Sequence, residues 1–441
     1  MTKTLLCSIF LFLNAVCYSQ TPQKLASSEI YQQIKSLNFL GNVLYIAAHP
    51  DDENTSLITY FSKQRYAKTT YLSLTRGDGG QNLMGSELGE KLGMIRTQEL
   101  LKARTIDGGQ QWFSRAIDFG YSKTPEETLN IWDKEKILSD VVWAIRTHRP
   151  DIIINRFNHR TSGGTHGHHT SSAILSTEAF DLAGQSNKFT SQLGLVEPWS
   201  PKRAFFNTSW WFYGSQEAFD KADKTNFIEL EINAFYPLEG LSNNEISALS
   251  RSQHKSQGFG NTGSRGEKKE YIELIKGEKL AGNDPFHGID TSWNRIPKGK
   301  AIGDILYKVE EDFDFKKPWK VIPQLLEAEQ LIHSIEDEFW KSQKSKRIQS
   351  VIQACLGLFV EVQSGIAYAN PGDDIQIEME LINRSPVDIQ LKYVSLGGKP
   401  INVKQTVLKN NNDVRFSTVF NLSSKENYTT PYWLKEKAEL G

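Results

Sequence analysis

One short stretch near the N-terminus restricts the fold of this chain more than any other. Residues 43–48 are apolar, and one imidazole and three carboxylates follow within five positions, at His49, Asp51, Asp52 and Glu53. The apolar run is too short for a long core helix and predicts a strand buried on both faces. Residues 55–64 then carry apolar side chains at helical spacing. The order strand, acidic turn, helix predicts a binding site, because ligands in open α/β sheets bind at the carboxyl ends of strands.

The acidic turn has two interpretations. Three carboxylates at the end of a buried strand concentrate negative charge, which a bound cation would neutralise. His49 and Asp52 offer one nitrogen and one oxygen, a ligand pair suited to Zn²⁺. Alternatively, Asp52 and Glu53 stabilise the first turn of the helix, where acidic side chains are favoured. The second interpretation leaves His49 unexplained, so the residues favour a metal site.

A second junction of the same kind carries histidines. His166, His168 and His169 account for three of the nine histidines and lie within four positions. They follow a predicted strand at 151–155 and precede a predicted helix at 171–183. If the two strands belong to one parallel sheet, the two junctions meet at the same edge of that sheet.

Together these motifs resemble those of the PIG-L/LmbE-like de-N-acetylase family. Residues 48–53 match the first family motif in full, and residues 166–169 resemble a second that usually reads His-Pro-Asp-His. Residues 250–257 resemble a helical His-x-Ser/Thr-Gln segment of the same family. The resemblance extends from about residue 40 to about residue 275. It implies a zinc enzyme that removes acetyl groups from N-acetylglucosamine-containing molecules, although Fe²⁺ or another divalent metal also suits such a site.

The resemblance also implies a role for individual residues. The implied metal ligands are His49, Asp52 and His169. Asp51 would act as general base and then general acid, and a protonated His166 would stabilise the oxyanion. His168 departs from the family pattern, because relatives usually carry aspartate there. An imidazole at this position would not raise the pKa of His166 by charge attraction, so another acid, or the metal and backbone donors, would have to compensate.

Four further side chains are candidate substrate contacts. Arg76 and Asp78 lie in a glycine-rich loop after a predicted strand at 69–75, and glycines permit close backbone approach to a ligand. His168 and His254 are the other two candidates. Alternatively, Arg76 and Asp78 are ordinary loop residues, and His254 is a surface histidine stabilised by a helix C-terminus. The loop contains no phosphate-binding Gly-Lys-Ser/Thr, which argues against nucleotide binding.

The remaining pattern predicts the domains. Residues 20–317 predict an α/β fold, a Rossmann-like, mostly parallel sheet with flanking helices, because strands and helices alternate from 40 to 185. Residues 318–358 are rich in Leu, Glu, Lys and Gln and predict a helical spacer. Residues 359–441 show short alternating runs separated by turn clusters, which predict a β-sandwich of immunoglobulin-like type. With about five candidate strands, we expect either that the sandwich is incomplete and the natural chain continues, or that its last strands pack against another element.

The first residues indicate export. Lys3 and the apolar run 5–16 have the layout of a secretory signal peptide, with cleavage after Ser19. A lipoprotein or a membrane anchor is the alternative, but the run is too short to span a bilayer. We therefore expect a secreted or periplasmic protein without stable membrane insertion after cleavage. The formal net charge of −1, from 51 basic and 52 acidic residues, gives no overall field that would recruit nucleic acid.

The predicted function is that of a secreted, zinc-dependent amidohydrolase acting on an N-acetylated amino sugar or glycoconjugate. One alternative is an amidase for a different small-molecule amide. Another is a carbohydrate-binding protein with a vestigial metal site, which the β-sandwich and the aromatic content of 11% would suit. The complete set of His49, Asp51, Asp52 and His169 favours an enzyme, because a decaying site would be expected to lose members.

Overall fold

The computed structural model describes residues 24–160, 166–260, 262–401, 403–431 and 434–435. The predicted signal peptide, residues 1–19, lies outside these ranges. Among the helices within them, none combines the length and the apolar character needed to cross a bilayer.

The first part of the chain forms a seven-stranded sheet. Its strands and one small hairpin are, in chain order, β1 (Asn42–Ala47), β2 (Lys68–Ser73), β3 (Gln110–Phe113), β4 (Ile152–Asn155), β5 (Arg203–Thr208), β6 (Phe227–Glu231), the hairpin strands β7 (Phe235–Tyr236) and β8 (Leu241–Ser242), and β9 (Lys269–Gly277). The order across the sheet is β3-β2-β1-β4-β5-β9-β6. Strands β1 to β5 run parallel, while β9 pairs antiparallel with both β5 and β6.

The connectivity of this sheet places a switch point between β1 and β4. From β1 the chain moves through β2 to β3 on one side, whereas β4 and β5 extend the sheet on the other side. Val43 accordingly pairs with Thr69 of β2 and with Ile152 of β4. Ligands in open α/β sheets bind at the carboxyl ends of strands at such a point. Both histidine-containing junctions therefore follow strands that flank the crevice.

Helices cover both faces of the sheet. In chain order they are α1 (Ser27–Leu37), α2 (Thr55–Thr59), α3 (Glu90–Asp107), α4 (Pro125–Ile131), α5 (Lys134–His148), α6 (Gly167–Leu182), α7 (Gln216–Lys221) and α8 (Asn243–Arg251). Successive side chains of β1 point to opposite faces. Val43 and Tyr45 join the core under α2 and α3, and Leu44 and Ile46 join the core under α5 and α6.

The segment predicted as a helical spacer is helical but is not a free spacer. Helices α9 (Lys300–Asp312), α10 (Ile322–His333) and α11 (Glu338–Cys355) share one hydrophobic core with α1 and Trp293. The proposed boundary at residues 317 and 318 therefore lies inside a packed helical layer. The amphipathic pattern identifies the helices, but it does not identify the partner that covers them.

The last part of the chain is built from antiparallel strands. They are β10 (Phe359–Ser364), β11 (Asp374–Ile382), β12 (Ile389–Leu391), β13 (Val394–Leu396), β14 (Lys399–Ile401), β15 (Thr406–Leu408) and β16 (Asp413–Asn421). They form a three-stranded sheet, β10-β11-β16, and two strand pairs, β12-β15 and β13-β14. A small core centred on Ile377, Met379, Leu381 and Leu408 joins them. The predicted fold class, an α/β sheet followed by a β domain, is confirmed.

Candidate metal centre and cleft

The turn after β1 is held in an unusual backbone conformation. Asp51 has a φ of 97°, in the region that residues other than glycine rarely adopt. Three contacts hold the turn. The Asp51 N–H donates to the Glu53 carboxylate at 2.9 Å, Arg251 donates to the Asp51 carbonyl at 3.0 Å, and the Gln257 side chain donates to the Pro50 carbonyl at 3.2 Å. Arg251 and Gln257, both in the segment 250–257, thus stabilise the conformation of the acidic turn.

The three predicted ligands converge beside this turn. Asp52 lies between two imidazoles, with Oδ2 at 3.2 Å from His49 Nδ1 and Oδ1 at 3.4 Å from His169 Nε2. All three ligand atoms lie within 4.8 Å of one another. A tetrahedral zinc ion with bonds of about 2.0–2.1 Å separates its ligands by about 3.3 Å, so the donor set fits the ion. Asp52 and His169 line a cleft, which leaves the fourth position accessible.

His168 acts on His49 and not on the cleft. Its Nδ1 lies 2.9 Å from His49 Nε2, and its side chain is fully buried against the rings of Trp132 and Phe119. If His49 offers Nδ1 to a metal, its proton must reside on Nε2, where His168 Nδ1 can accept it. The burial of His168 is incompatible with the direct substrate contact predicted from the sequence. With a metal on His49 Nδ1, the His168 side chain would instead fix the tautomer and orientation of His49.

A second group of potential ligands shares His49. Ligand atoms of His49, His166 and His168 also lie within 4.8 Å of one another. However, this second group includes the fully buried His168, whereas Asp52 and His169 of the first group both line the cleft. A catalytic metal needs a coordination position that substrate can reach. The geometry therefore favours the set His49, Asp52 and His169.

His166 is held as a neutral imidazole. Its Nδ1 accepts the His168 backbone N–H at 3.1 Å, which leaves the ring proton on Nε2. Burial, and then the positive charges of His49 and His169, lower the pKa of His166 to about 4. The protonated form predicted from the sequence is therefore disfavoured at neutral pH. A hydrogen-bond donor role remains open to His166, through the neutral Nε2–H.

The pKa values of two carboxyl groups in the turn, Asp51 and Glu53, are shifted in opposite directions. Burial, and then the charge of Asp52, raise the pKa of Asp51 to about 7, although a bound cation would oppose this rise. Burial also acts to raise the pKa of Glu53, but His254 and Arg104 outweigh it and lower the value to about 2. Asp51 lines the cleft and titrates in the range that suits proton transfer. Glu53 is a fixed charge.

His254 belongs to the support of the site. Its Nε2 lies 2.8 Å from Glu53 Oε1, which also accepts from Arg104 at 3.1 Å. The His254 side chain is fully buried. This burial is incompatible with the substrate contact predicted from the sequence, and it also excludes the alternative of a surface histidine at a helix end.

The remaining two candidates, Arg76 and Asp78, contact residues outside the cleft. The Arg76 guanidinium lies 4.2 Å from the centre of the Phe113 ring and donates to Thr97 at 3.0 Å. Asp78 Oδ1 lies 3.4 Å from the Asp118 backbone nitrogen. Neither residue lines the cleft, so the structure does not bring them together with the ligand set.

The cleft itself has a volume of about 710 Å³ and contains residues that the sequence did not single out as ligand contacts. Its wall includes the half-exposed indole of Trp211 and three basic side chains, Arg156, Arg251 and Lys268. Arg156 directly follows β4 at the switch point, and that position was an available signal. Lys268 comes from the glycine-containing loop before β9, and that composition was the available signal.

Comparisons with known proteins agree with the motifs. Residues 44–180 match the family model described as PIG-L, GlcNAc-PI de-N-acetylase. No match was found among the curated proteins. Among solved structures, the chain is similar to N,N′-diacetylchitobiose deacetylase from Pyrococcus horikoshii, with 19% identity and a TM-score of 0.35 over 49% of this chain and 70% of that one.

Two further structures show comparable similarity. The conserved protein TT1542 from Thermus thermophilus has 19% identity and a TM-score of 0.32, over 49% of this chain and 80% of that one. GalB, the 4-carboxy-2-hydroxymuconate hydratase from Pseudomonas putida KT2440, has 13% identity and a TM-score of 0.36, over 55% of this chain and 99% of that one. These TM-scores are too low to bear on activity. The family match, in contrast, contains both junctions with His49, Asp51, Asp52 and His169, and it confirms the resemblance of residues 44–180 to the PIG-L family.

Proposed function

We propose that this protein is a metal-dependent amidohydrolase that removes acetyl groups from N-acetylglucosamine-type sugars or glycoconjugates. One observation carries the proposal. His49, Asp52 and His169 converge at the switch point of the sheet, where Asp51, Asp52 and His169 line a cleft. The match of residues 44–180 to the GlcNAc-PI de-N-acetylase model supports the choice of an N-acetyl amino sugar.

The ligand set suits the requirements of amide hydrolysis. An amide carbonyl is a poor electrophile, and water is a poor nucleophile near pH 7. Two nitrogens and one carboxylate oxygen would hold Zn²⁺, and Fe²⁺ is compatible with the same donors. Such an ion, when bound, supplies a Lewis acid that polarises the carbonyl and acidifies water.

The residues of the chain provide the remaining steps. Asp51 accepts a proton from the attacking water and then delivers it to the nitrogen of the leaving amine. The neutral Nε2–H of His166 donates to the oxygen that becomes negative in the tetrahedral intermediate. The exposed face of Trp211 offers an apolar surface to the sugar ring within the cleft.

A combined metal and acetate assay tests the proposal. The metal content of the purified protein would be measured, and acetate release would be followed with N-acetylglucosamine and N,N′-diacetylchitobiose as substrates. We expect one divalent metal per chain and acetate release that a chelator abolishes. Binding of these sugars without acetate release by the metal-loaded protein would favour the carbohydrate-binding alternative. Release of acyl groups from other small amides alone would favour the amidase alternative.

We also propose that the protein is exported to the periplasm or the medium. The proposal rests on residues 1–19, which lie outside the described residues. Mass determination of the protein from the periplasmic or extracellular fraction should give a chain that begins after Ser19. A cytoplasmic protein that retains Met1 would contradict export while leaving the catalytic proposal intact.

A further inference from the structure

The cleft contains a cationic side chain, that of Arg156, whose charge is not neutralised by any of the described residues. Among the described residues, Arg156 forms no ion pair, and its guanidinium makes one long hydrogen bond, 3.5 Å to Asn207 Oδ1. That oxygen already accepts from the Tyr45 hydroxyl at 3.0 Å and from the Asn54 side chain at 3.1 Å. The guanidinium also lies 5.6 Å from the centre of the Phe212 ring, a contact that leaves its charge without an anion. Arg156 is therefore dispensable for satisfying Asn207, although it lines the cleft and is only half-buried.

A second cation stands on the same wall. Lys268 Nζ lies 3.5 Å from Glu270 and 3.1 Å from Ser56 Oγ. Glu270 also accepts from the Asn207 side chain at 3.3 Å, so Asn207 and Glu270 connect Lys268 to Arg156. Glu270 thus contacts Lys268 directly but Arg156 only through Asn207, and the charge of Arg156 stays unpaired among the described residues. Arg251, the third cation of the cleft, is already engaged in holding the turn at Asp51.

This wall lies directly beside the candidate metal ligands. Phe157, the residue after Arg156, stacks on the ring of His169 with a centroid distance of 3.9 Å and an interplanar angle of 4°. A molecule whose amide reaches His169 therefore passes close to Arg156. One bound molecule could therefore contact Arg156, Lys268 and the candidate metal site together.

We propose that Arg156 and Lys268 bind an anionic group of the substrate, a carboxylate or a phosphate carried by the amino sugar or its attached group. The inference rests on the proposed function and narrows its substrate class. The planar guanidinium of Arg156 can donate two parallel hydrogen bonds to either anion, and Lys268 adds a point charge from the same wall. A neutral sugar would leave the guanidinium of Arg156 without an anionic partner.

Three substrates distinguish the sources of the anion. Acetate release by the metal-loaded protein would be compared for N,N′-diacetylchitobiose, N-acetylmuramic acid and N-acetylglucosamine 6-phosphate, which are neutral, carboxylated and phosphorylated. We expect kcat/KM for one of the anionic sugars to exceed that for the neutral one by about tenfold or more. The preferred anionic sugar identifies the group. Equal kcat/KM for all three would overturn the inference.

Variants locate the effect on the proposed wall. Arg156→Gln and Lys268→Met should lower kcat/KM for the anionic sugar, by about 10–100-fold for Arg156→Gln, and should change the neutral sugar by less than about threefold. Arg156→Lys should recover part of the loss. Arg415→Gln, on strand β16, is the matched control and should change neither substrate. Equal losses on neutral and anionic sugars would indicate a structural role and contradict the inference.

Direct binding separates this inference from the proposed function. If no substrate releases acetate, the proposed function fails, and calorimetric titration with glucosamine 6-phosphate, glucuronic acid and glucosamine still tests the wall. We expect tighter binding of one of the anionic sugars, weakened by salt and lost in Arg156→Gln. Binding that is the same for all three, or unaffected by Arg156→Gln, would overturn the inference on its own.

Discussion

The two ends of strand β1 bury charged groups in opposite ways. At the amino end, the almost fully buried Asp151 receives two hydrogen bonds from Arg295, at 2.7 and 3.0 Å, and one from the Asn42 backbone at 3.1 Å. At the carboxyl end, His49 converges with Asp52 and His169, which line an open cleft. The fold completes the first cluster by itself, while the second offers its donors to a ligand.

This difference assigns the two ends to different properties. Removing a charge from a completed cluster leaves its partner unpaired, which costs stability. Removing a donor from the incomplete cluster weakens metal binding, because the negative charge of that cluster would be neutralised by a bound cation and not by another residue of the chain. Substitutions at the carboxyl end should therefore affect metal and activity, and substitutions at the amino end should affect unfolding.

The largest effect is expected from Asp52→Ala. Asp52 lies between both imidazoles of the ligand set, so its loss should abolish stoichiometric metal binding and, with it, activity. The measurement is metal content per chain after dialysis, with Asp151→Asn as the control that keeps its metal. One metal per chain in Asp52→Ala would move the site to the group of His49, His166 and His168.

The second-largest effect is expected from Asp51→Asn, which should separate catalysis from metal binding at the carboxyl end of β1. Asp51→Asn keeps the size of the side chain but removes the proton acceptor, so the rate should fall by about 10²–10⁴-fold while metal is retained. Steady-state kinetics and metal content would be measured on the same preparation. A near-normal rate would show that another group transfers the proton.

Asp151→Asn is the corresponding test at the amino end. It leaves Arg295 without its carboxylate and should lower the free energy of unfolding by about 3 kcal/mol, as for other broken buried ion pairs. Denaturant unfolding followed by tryptophan fluorescence would measure the change. At temperatures where the variant is folded, its metal content and kcat should match those of the wild type. Loss of metal from the folded variant would contradict the division between the two ends.

A smaller effect is expected from substitutions of His168, the buried residue that contacts His49 at the carboxyl end of β1. His168→Leu removes the acceptor for His49 Nε2–H and should weaken metal binding by about 10–100-fold. His168→Asn places an amide oxygen near the position of Nδ1 and should restore part of the affinity. Competition with a chromophoric chelator measures both. Equal affinity in wild type and His168→Leu would remove His168 from the support of the site.

The sequence predicted those parts of the site that are local. His49, Asp51 and Asp52 are consecutive with a recognisable buried strand, and the matching junction at His169 has the same order of elements. The sheet and the β domain followed from periodicity for the same reason. Local patterns therefore sufficed to predict the fold class, and the structure brings together the three residues that the family resemblance proposed as metal ligands.

The parts that the sequence did not predict depend on distant contacts. The burial of His254 arises from its contact with Glu53, 201 residues earlier in the chain, and that of His168 from packing against Trp132. Lys268 reaches the cleft from a loop whose path no periodicity describes. A helical pattern at 318–358 gave no indication that α1 completes its core. Sequence spacing thus identifies which groups are present, but tertiary packing decides which of them face a ligand.

The smallest effect concerns a histidine at the amino end. His148 is buried at the end of α5 with its ring 4.2 Å from that of Trp112, and its Nε2 has no hydrogen-bond partner among the described residues. Burial, and then the charge of Lys68, lower its pKa to about 3. The usual value in an unfolded chain is about 6.5, so between these values the unfolded state binds more protons. Stability should consequently fall as the pH decreases below 6.5.

The expected loss attributable to His148 is about 1.3 kcal/mol between pH 7 and pH 5.5, since each pH unit between the unfolded and folded pKa values costs about 1.4 kcal/mol. His148→Gln removes the titrating group, so its unfolding free energy should fall less over this interval by that amount, whatever its stability at pH 7. His287→Gln, at an exposed position, should keep the wild-type dependence. The measurement is denaturant unfolding at both pH values. If the unfolding free energies of wild type and His148→Gln change equally with pH, the fold does not hold this imidazole neutral. The contrast between His148 at the amino end and the candidate metal ligands at the carboxyl end would then be lost.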